Sequence, residues 1–137
     1  MKLELNASPE EVMRAVEAMQ DYARALGLPE KIIYALALAL EECASNIVNH
    51  ALQRDPQKHF WASFERANDS FIIELRDRGP GFDITAAPER PPQADADDLL
   101  GGWGIQLVRR NMDNISYRRE SGENILRLAK RLPTVGK

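Results

Sequence analysis

A chain of 137 residues with 44% hydrophobic and 28% charged residues has the make-up of an ordinary globular protein. Its net charge of −3 argues against non-specific nucleic-acid binding, and its longest unbroken apolar run, Ile32 to Leu40, is too short to span a bilayer. One cysteine, Cys43, and two histidines exclude an internal disulfide and argue against a zinc site of ordinary spacing; with no apolar signal core near the N-terminus, a cytoplasmic location is expected. The charge is uneven: acids dominate Asp77 to Leu100, and bases dominate from Arg109 onward.

In chain order, Lys2 to Asn6 alternates and reads as an edge strand. Ser8-Pro9-Glu10-Glu11 announces a helix, with Ser8 as cap, Pro9 in the first turn and Glu11 completing a capping box; Val12, Val16, Met19 and Ala23 form its apolar face and Gly27 ends it. Arg14, near that face's edge, reads as a salt-bridged surface residue. Pro29 opens a second helix expected to run to about Leu52. At about 100° per residue, Glu42, Asn46 and Asn49 fall on one narrow polar stripe of it, with His50 at the edge. Around them Leu36, Ala39, Leu40, Cys43, Ala44, Ile47 and Val48 make the helix apolar. A carboxylate and an amide four residues apart suit a hard cation and an attacking hydroxyl; a solvent-facing stripe is the plain alternative.

A polar turn over Gln53 to Lys58 leads to strands at His59 to Arg66 and Phe71 to Asp77, joined at Asn68-Asp69-Ser70. Asp77 ends a core-facing row with Phe71, Ile73 and Leu75, an unusual place for a carboxylate unless something pairs with it. Gly79 and Gly81 then permit close backbone approach, and the acidic, proline-rich stretch that follows reads as a long functional loop. Gly101-Gly102-Trp103-Gly104 leads into Ile105, Leu107, Val108 and Met112, an amphipathic helix whose start suits phosphates. No strand precedes these glycines, which excludes the dinucleotide fingerprint. Asn114 to Arg119 and Asn124 to Leu132 close as a hairpin about Ser121-Gly122. The expected architecture is α+β: a two-layer sandwich of about five mixed, mostly antiparallel strands with three helices on one face, as a single domain over residues 1–137. Trp61, Ile72 and Ile125 are candidates for an apolar patch on the other sheet face, supporting a homodimer or a partner.

Glu42-x3-Asn46-x3-His50, Asp77-x-Gly79-x-Gly81-Phe82 and Gly102-x-Gly104-Ile105 resemble, in order, the N, G1 and G2 boxes of the GHKL ATP-binding fold of gyrase, histidine kinases and MutL. Within that superfamily the sequence is most similar to the small anti-sigma-factor serine/threonine kinases, by its length, its β-α-α opening, its short loop and Met112-Asp113 after the last helix. The resemblance implies ATP and Mg²⁺ as cofactors, with Asn46 as metal ligand, Glu42 as catalytic base or water-orienting carboxylate, and Asp77 accepting from the adenine amino group. It implies that Gly79, Gly81 and Phe82 pass close to the base, that Gly102, Trp103, Gly104 and Ile105 lie at the phosphates, that residues 83–101 form an ATP lid, and that Asn49 and His50 border the nucleotide. It also implies two partners, a STAS-type anti-anti-sigma antagonist and a sigma factor or similar target, without direct nucleic-acid or membrane binding.

Two features depart from the pattern. Arg90 is the lid's only base, and Asn124 stands where relatives often carry threonine, still able to hydrogen-bond near adenine. With no histidine-bearing dimerisation helix ahead of the first box, an autophosphorylating histidine kinase is not expected. A non-catalytic ATP/ADP-sensing, partner-binding module is the alternative reading, and the ATPase part of a larger machine is a weaker one.

Overall fold

The computed structural model describes residues 1–81 and 105–133. Among them, strands β1 (Lys2–Asn6), β2 (His59–Ala67), β3 (Ser70–Asp77), β4 (Asn114–Glu120) and β5 (Glu123–Arg131) form one sheet in the order β1-β2-β3-β5-β4. Helix α1 (Pro9–Ala25), helix α2 (Glu30–Asn46) and a short helix α3 (residues 105–111) contribute to a single core with one sheet face. The α+β, two-layer expectation holds, but all four strand pairings are antiparallel, where a mixed sheet was expected. The connection from β3 to β4 skips one position, and β5 returns antiparallel between them. β3 and β4, which run the same way, therefore never pair.

Register decides which residues meet the helices. Leu5 faces Phe60, Ala62 faces Leu75, Phe64 faces Ile73 and Ile73 faces Leu128, so alternate residues of every strand line one apolar floor. Against it α1 places Val12, Ala15, Val16, Met19 and Ala23, and α2 places Ile33, Leu36, Leu40, Cys43 and Ala44, all buried. Tyr22 of α1 reaches Phe71, ring centroids 6.0 Å apart. From α3, Ile105 and Val108 enter the same core. Burial pushes the Cys43 thiol up to about 12, making it a packing group rather than a nucleophile. Glu30–Ala51 is long and apolar enough to cross a bilayer, but half of its most apolar window is buried inside the protein.

The helix ends are built from local chemistry. Ser8 Oγ accepts from the Glu11 N–H at 3.3 Å, and Glu11 reaches back to the Asn6 N–H at 3.4 Å, not to that of Ser8 as in a simple capping box. Arg14 pairs with Glu11 at 2.7 Å and also donates to the Glu4 carbonyl, tying α1 to β1. Gly27 adopts φ 80° after α1, and Leu28 N–H closes back on the Ala23 carbonyl at 3.1 Å, a Schellman ending. Asp113 accepts from the Arg131 N–H while Lys130 caps the Asn111 carbonyl at 2.7 Å, which fixes α3 to the end of β5.

The outer sheet face is less apolar than alternation implies. Ile72 and Ile125 lie on it yet are only 7% and 2% exposed. Around them the face carries charge: Arg76 bonds Glu74 and Glu123, and Arg78 pairs with Glu123 and stacks over Trp61 at 5.2 Å. A shallow cleft of about 210 Å³ beside Trp61 is bounded by Lys2, Ser63, Glu74 and Arg76.

A Cβ at Gly27 would meet nothing within 4 Å, so Gly27→Ala isolates the cost of a left-handed backbone. Urea unfolding should show a loss of about 1 kcal/mol, with the slope unchanged.

Candidate functional site

The inward row that is apolar in mid-sheet turns polar at its end. Phe60 pairs with Asp77, Asp77 with Asn124, and Asn124 with Arg119, so three polar side chains cross β3, β5 and β4 on the helix side. Asp77 is 4% and Asn124 5% exposed, the buried polar residues among those described. Asp77 Oδ1 accepts from the Gly79 N–H at 2.8 Å and from Asn124 Nδ2 at 3.0 Å. Nδ2 also donates to the carbonyls of Gly79 and Pro80, at 3.1 and 3.0 Å. The other amide atom, Asn124 Oδ1, accepts from Tyr117 Oη at 2.6 Å and Arg119 Nη1 at 2.8 Å, and Arg119 Nη1 donates to the Gly79 carbonyl at 3.1 Å. Asp77 Oδ2 accepts no hydrogen bond from the described residues. Oδ2 is not one of the fully enclosed, unpartnered polar atoms among the described residues, so it stays open to water or to a ligand N–H.

Beside this row ends the second helix, and not as a regular one. After Asn46 it widens into a π turn, Ile47–Ala51, in which Leu52 N–H reaches the Ile47 carbonyl at 2.8 Å. Gln53 and Arg54 follow with φ 54° and 57°, held by Arg54 N–H on the Val48 carbonyl and by Arg54 Nε on Asn49 Oδ1, both 2.7 Å. The stripe drawn on an ideal helix is thereby broken: Glu42 and Asn46 are half-buried, while Asn49, bonded to Arg54, and His50 are exposed. Neither Glu42 nor Asn46 makes a side-chain hydrogen bond to a described residue, which leaves the carboxylate and the amide available. Burial, then the charge of Glu41, holds the Glu42 carboxyl above its ordinary 4.5.

Gly79 joins the two parts. A Cβ there would lie 2.7 Å from the Ala51 carbonyl and 3.0 Å from Asp77 Oδ1, so only glycine lets the strand-end loop sit against the π turn. Gly81 is less confined, its nearest neighbour being the flexible Arg119 side chain at 3.3 Å. The end of α2 and the Asp77 loop therefore converge. Ile105 is fully buried in the core. Phe82, Gly102, Trp103, Gly104 and the 83–101 lid lie outside the described residues.

Sequence reasoning singled out Asp77 and Asn124 but missed Tyr117 and Arg119. The signal was available: a two-residue turn at Ser121-Gly122, with φ 52° and 78°, sets Arg119 opposite Asn124 and Asn124 opposite Asp77.

The residues fit an adenine nucleotide with a divalent cation. Among the described residues Asp77 Oδ2 lacks a donor, Gly79 forms a cradle that a Cβ would fill, and Asn46 and Glu42, one helical turn apart, have no side-chain hydrogen-bond partner. No cluster of three metal-ligating side chains occurs among the described residues.

Gly79→Ala should weaken ATP binding by about tenfold or more, because a backbone carbonyl must shift, whereas Gly81→Ala, against a movable side chain, should cost less than about threefold. Calorimetric titration of both variants measures the difference.

The family model of the histidine kinase-like ATPase domain matches residues 5–130. The serine/threonine-protein kinase BtrW of Bordetella bronchiseptica is 29% identical over 99 residues, 72% of this chain and 70% of the relative. The serine-protein kinase RsbW of Oceanobacillus iheyensis is 26% identical over 131 residues, 92% of this chain and 83% of the relative. Among solved structures, the SiaB–SiaC complex of Pseudomonas aeruginosa shares the fold at TM-score 0.68 and 14% identity, covering 94% of this chain and 88% of that one. The RsbU and RsbW domains of a Mycobacterium tuberculosis protein also give TM-score 0.68, at 16% identity over 96% of this chain, which spans only 32% of that longer one. The chain belongs to the histidine kinase-like ATPase domain family.

Proposed function

We propose that this protein transfers the γ-phosphoryl group of ATP to a serine or threonine hydroxyl of a small STAS-type antagonist, and that it otherwise holds a sigma factor or similar target. The observation that carries the reading is the open oxygen of Asp77, 4% exposed, at the end of the polar row. Its other oxygen already accepts from two N–H donors, which supports Oδ2 as the acceptor for a base amino group.

Asp77 and the Gly79 loop would seat adenine, which leaves the phosphates to run toward the end of α2. There the Asn46 amide oxygen would hold Mg²⁺; when bound, that ion would neutralise charge on the phosphate oxygens. The acceptor hydroxyl attacks the γ-phosphorus, its bond to the β-bridging oxygen breaks and ADP leaves. Glu42 takes or orients the hydroxyl proton. A carboxyl raised by burial and by Glu41 is a better base than an exposed one, which suits that task. The names of the relatives support a hydroxyl on a protein as acceptor, and SiaB, seen in complex with SiaC, supports a protein partner. The proposed setting is the cytoplasm, and residues 1–137 are proposed to act as one domain.

The test combines calorimetry with transfer of label from γ-labelled ATP to a panel of purified STAS-domain proteins. Wild type should bind ATP, and Asp77→Asn should bind at least about tenfold more weakly. Asn46→Ala should lose the Mg²⁺ dependence of binding, while Glu42→Gln should bind ATP nearly normally and transfer no label. The transfer rate of wild type should fall on its acid side at a pH above the ordinary glutamate value of 4.5, since Glu42 must be deprotonated to act and its pKa is raised. Glu41→Gln should move that limb toward lower pH. No binding at millimolar ATP overturns the proposal, and binding without transfer to any acceptor favours the nucleotide-sensing module.

A further inference from the structure

Among the described residues, the side-chain polar atom that is fully enclosed and has no hydrogen-bond partner is Gln106 Nε2. Nearly all buried polar groups are paired, and an enclosed N–H₂ without an acceptor weakens a fold. Core packing does not account for it. From α3 the core takes Ile105 and Val108, and at about 100° per residue Gln106 lies roughly 130° round the helix from the middle of that face. The residue as a whole is only half-buried, and its terminal amide torsion is a soft one. Rotation there carries the N–H₂ out of its enclosure toward an acceptor at the surface.

The course of α3 sets where that surface is. Its last turn is held at the end of the sheet opposite Asp77, where Lys130 donates to the Asn111 carbonyl and the Arg131 N–H to Asp113. Only Met112 and Asp113 separate α3 from β4, so the chain reverses there and the helix runs antiparallel to the strand. β4 runs toward Arg119 and the polar row, and α3 therefore begins on the side of that row. Gln106 stands in its first turn.

We propose that Gln106 is a phosphate-binding residue, its amide N–H₂ donating to a phosphate oxygen of the bound nucleotide. A charged phosphate oxygen is the strongest acceptor that such a ligand offers an amide, and the bond satisfies a donor that otherwise has none. The inference rests on the reading of the site as a nucleotide site and adds a side-chain donor that lies outside all three sequence boxes. One side chain thus lowers the stability of the free protein and raises its affinity for ligand.

The test compares wild type with Gln106→Met, which keeps the length of the side chain without a donor, and with Gln106→Glu, which puts a carboxylate in its place. Thermal unfolding is measured without nucleotide, and binding of ATP, ADP, AMP and adenosine by calorimetry. Gln106→Met should raise the unfolding temperature by about 3 °C and bind ATP about tenfold more weakly, with adenosine affinity unchanged. Gln106→Glu should bind ATP more weakly still, by a margin that shrinks as salt is added. A lower unfolding temperature for Gln106→Met means that Nε2 is already satisfied in the free protein, and overturns the proposal. An equal loss for adenosine also overturns it, since no phosphate is then involved. ATP affinity unchanged in Gln106→Met overturns this contact alone, whereas no ATP binding by wild type overturns the nucleotide reading and the contact together.

Discussion

A carboxylate at the end of an apolar strand row must be satisfied where water barely reaches, and the architecture around Asp77 follows from that requirement. Every other inward residue of β3 is apolar, and the floor it joins runs unbroken through Phe60, Leu75 and Leu126. Placing Asp77 on the same floor forces its neighbours in register to be polar as well. Asn124 and Arg119 meet that demand across β5 and β4, and the Gly79 N–H meets it from the loop. These bonds cover only one carboxylate oxygen. The second accepts none from the described residues and stays open at the edge of the network.

The other half of the site depends on how α2 ends. A regular helix would carry Asn49 on around the stripe of Glu42 and Asn46. The π turn over Ile47–Ala51 breaks that periodicity, gives Asn49 to Arg54, and brings the Ala51 carbonyl against Gly79. Glu42 on α2 and Asp77 at a strand end are thus set at a fixed separation by backbone contact. That contact tolerates no side chain at Gly79. Rigid placement of this kind is what phosphoryl transfer asks of a protein, since its catalysis is mostly positioning and charge compensation.

Most of the fold was legible in the sequence because it is written in short-range patterns. Alternation in Phe71 to Asp77, the cap at Ser8, the glycine after α1 and the turns at Asn68 and Ser121 each have a local cause, and each lies where expected. Asp77 was legible as an anomaly of the same alternation. What escaped depended on geometry beyond the local period. A π turn leaves no mark in a pattern counted at 3.6 residues, so the place of Asn49 and His50 could not be foreseen. Arg119 looked like one of several bases on an edge strand until strand register set it opposite Asn124. The outer sheet face looked apolar from Trp61, Ile72 and Ile125, because alternation does not reveal how far neighbouring arginine and glutamate stems cover an isoleucine. The all-antiparallel sheet follows from where β5 inserts, which no local signal encodes.

The most direct measurement is a crystal structure of the protein with Mg²⁺ and a non-hydrolysable ATP analogue. The account predicts the adenine amino nitrogen within hydrogen-bonding distance of Asp77 Oδ2, the base stacked over the Gly79 loop, and the phosphates reaching Asn46 and Glu42. A nucleotide bound elsewhere, with Asp77 Oδ2 still lacking a donor, would contradict it.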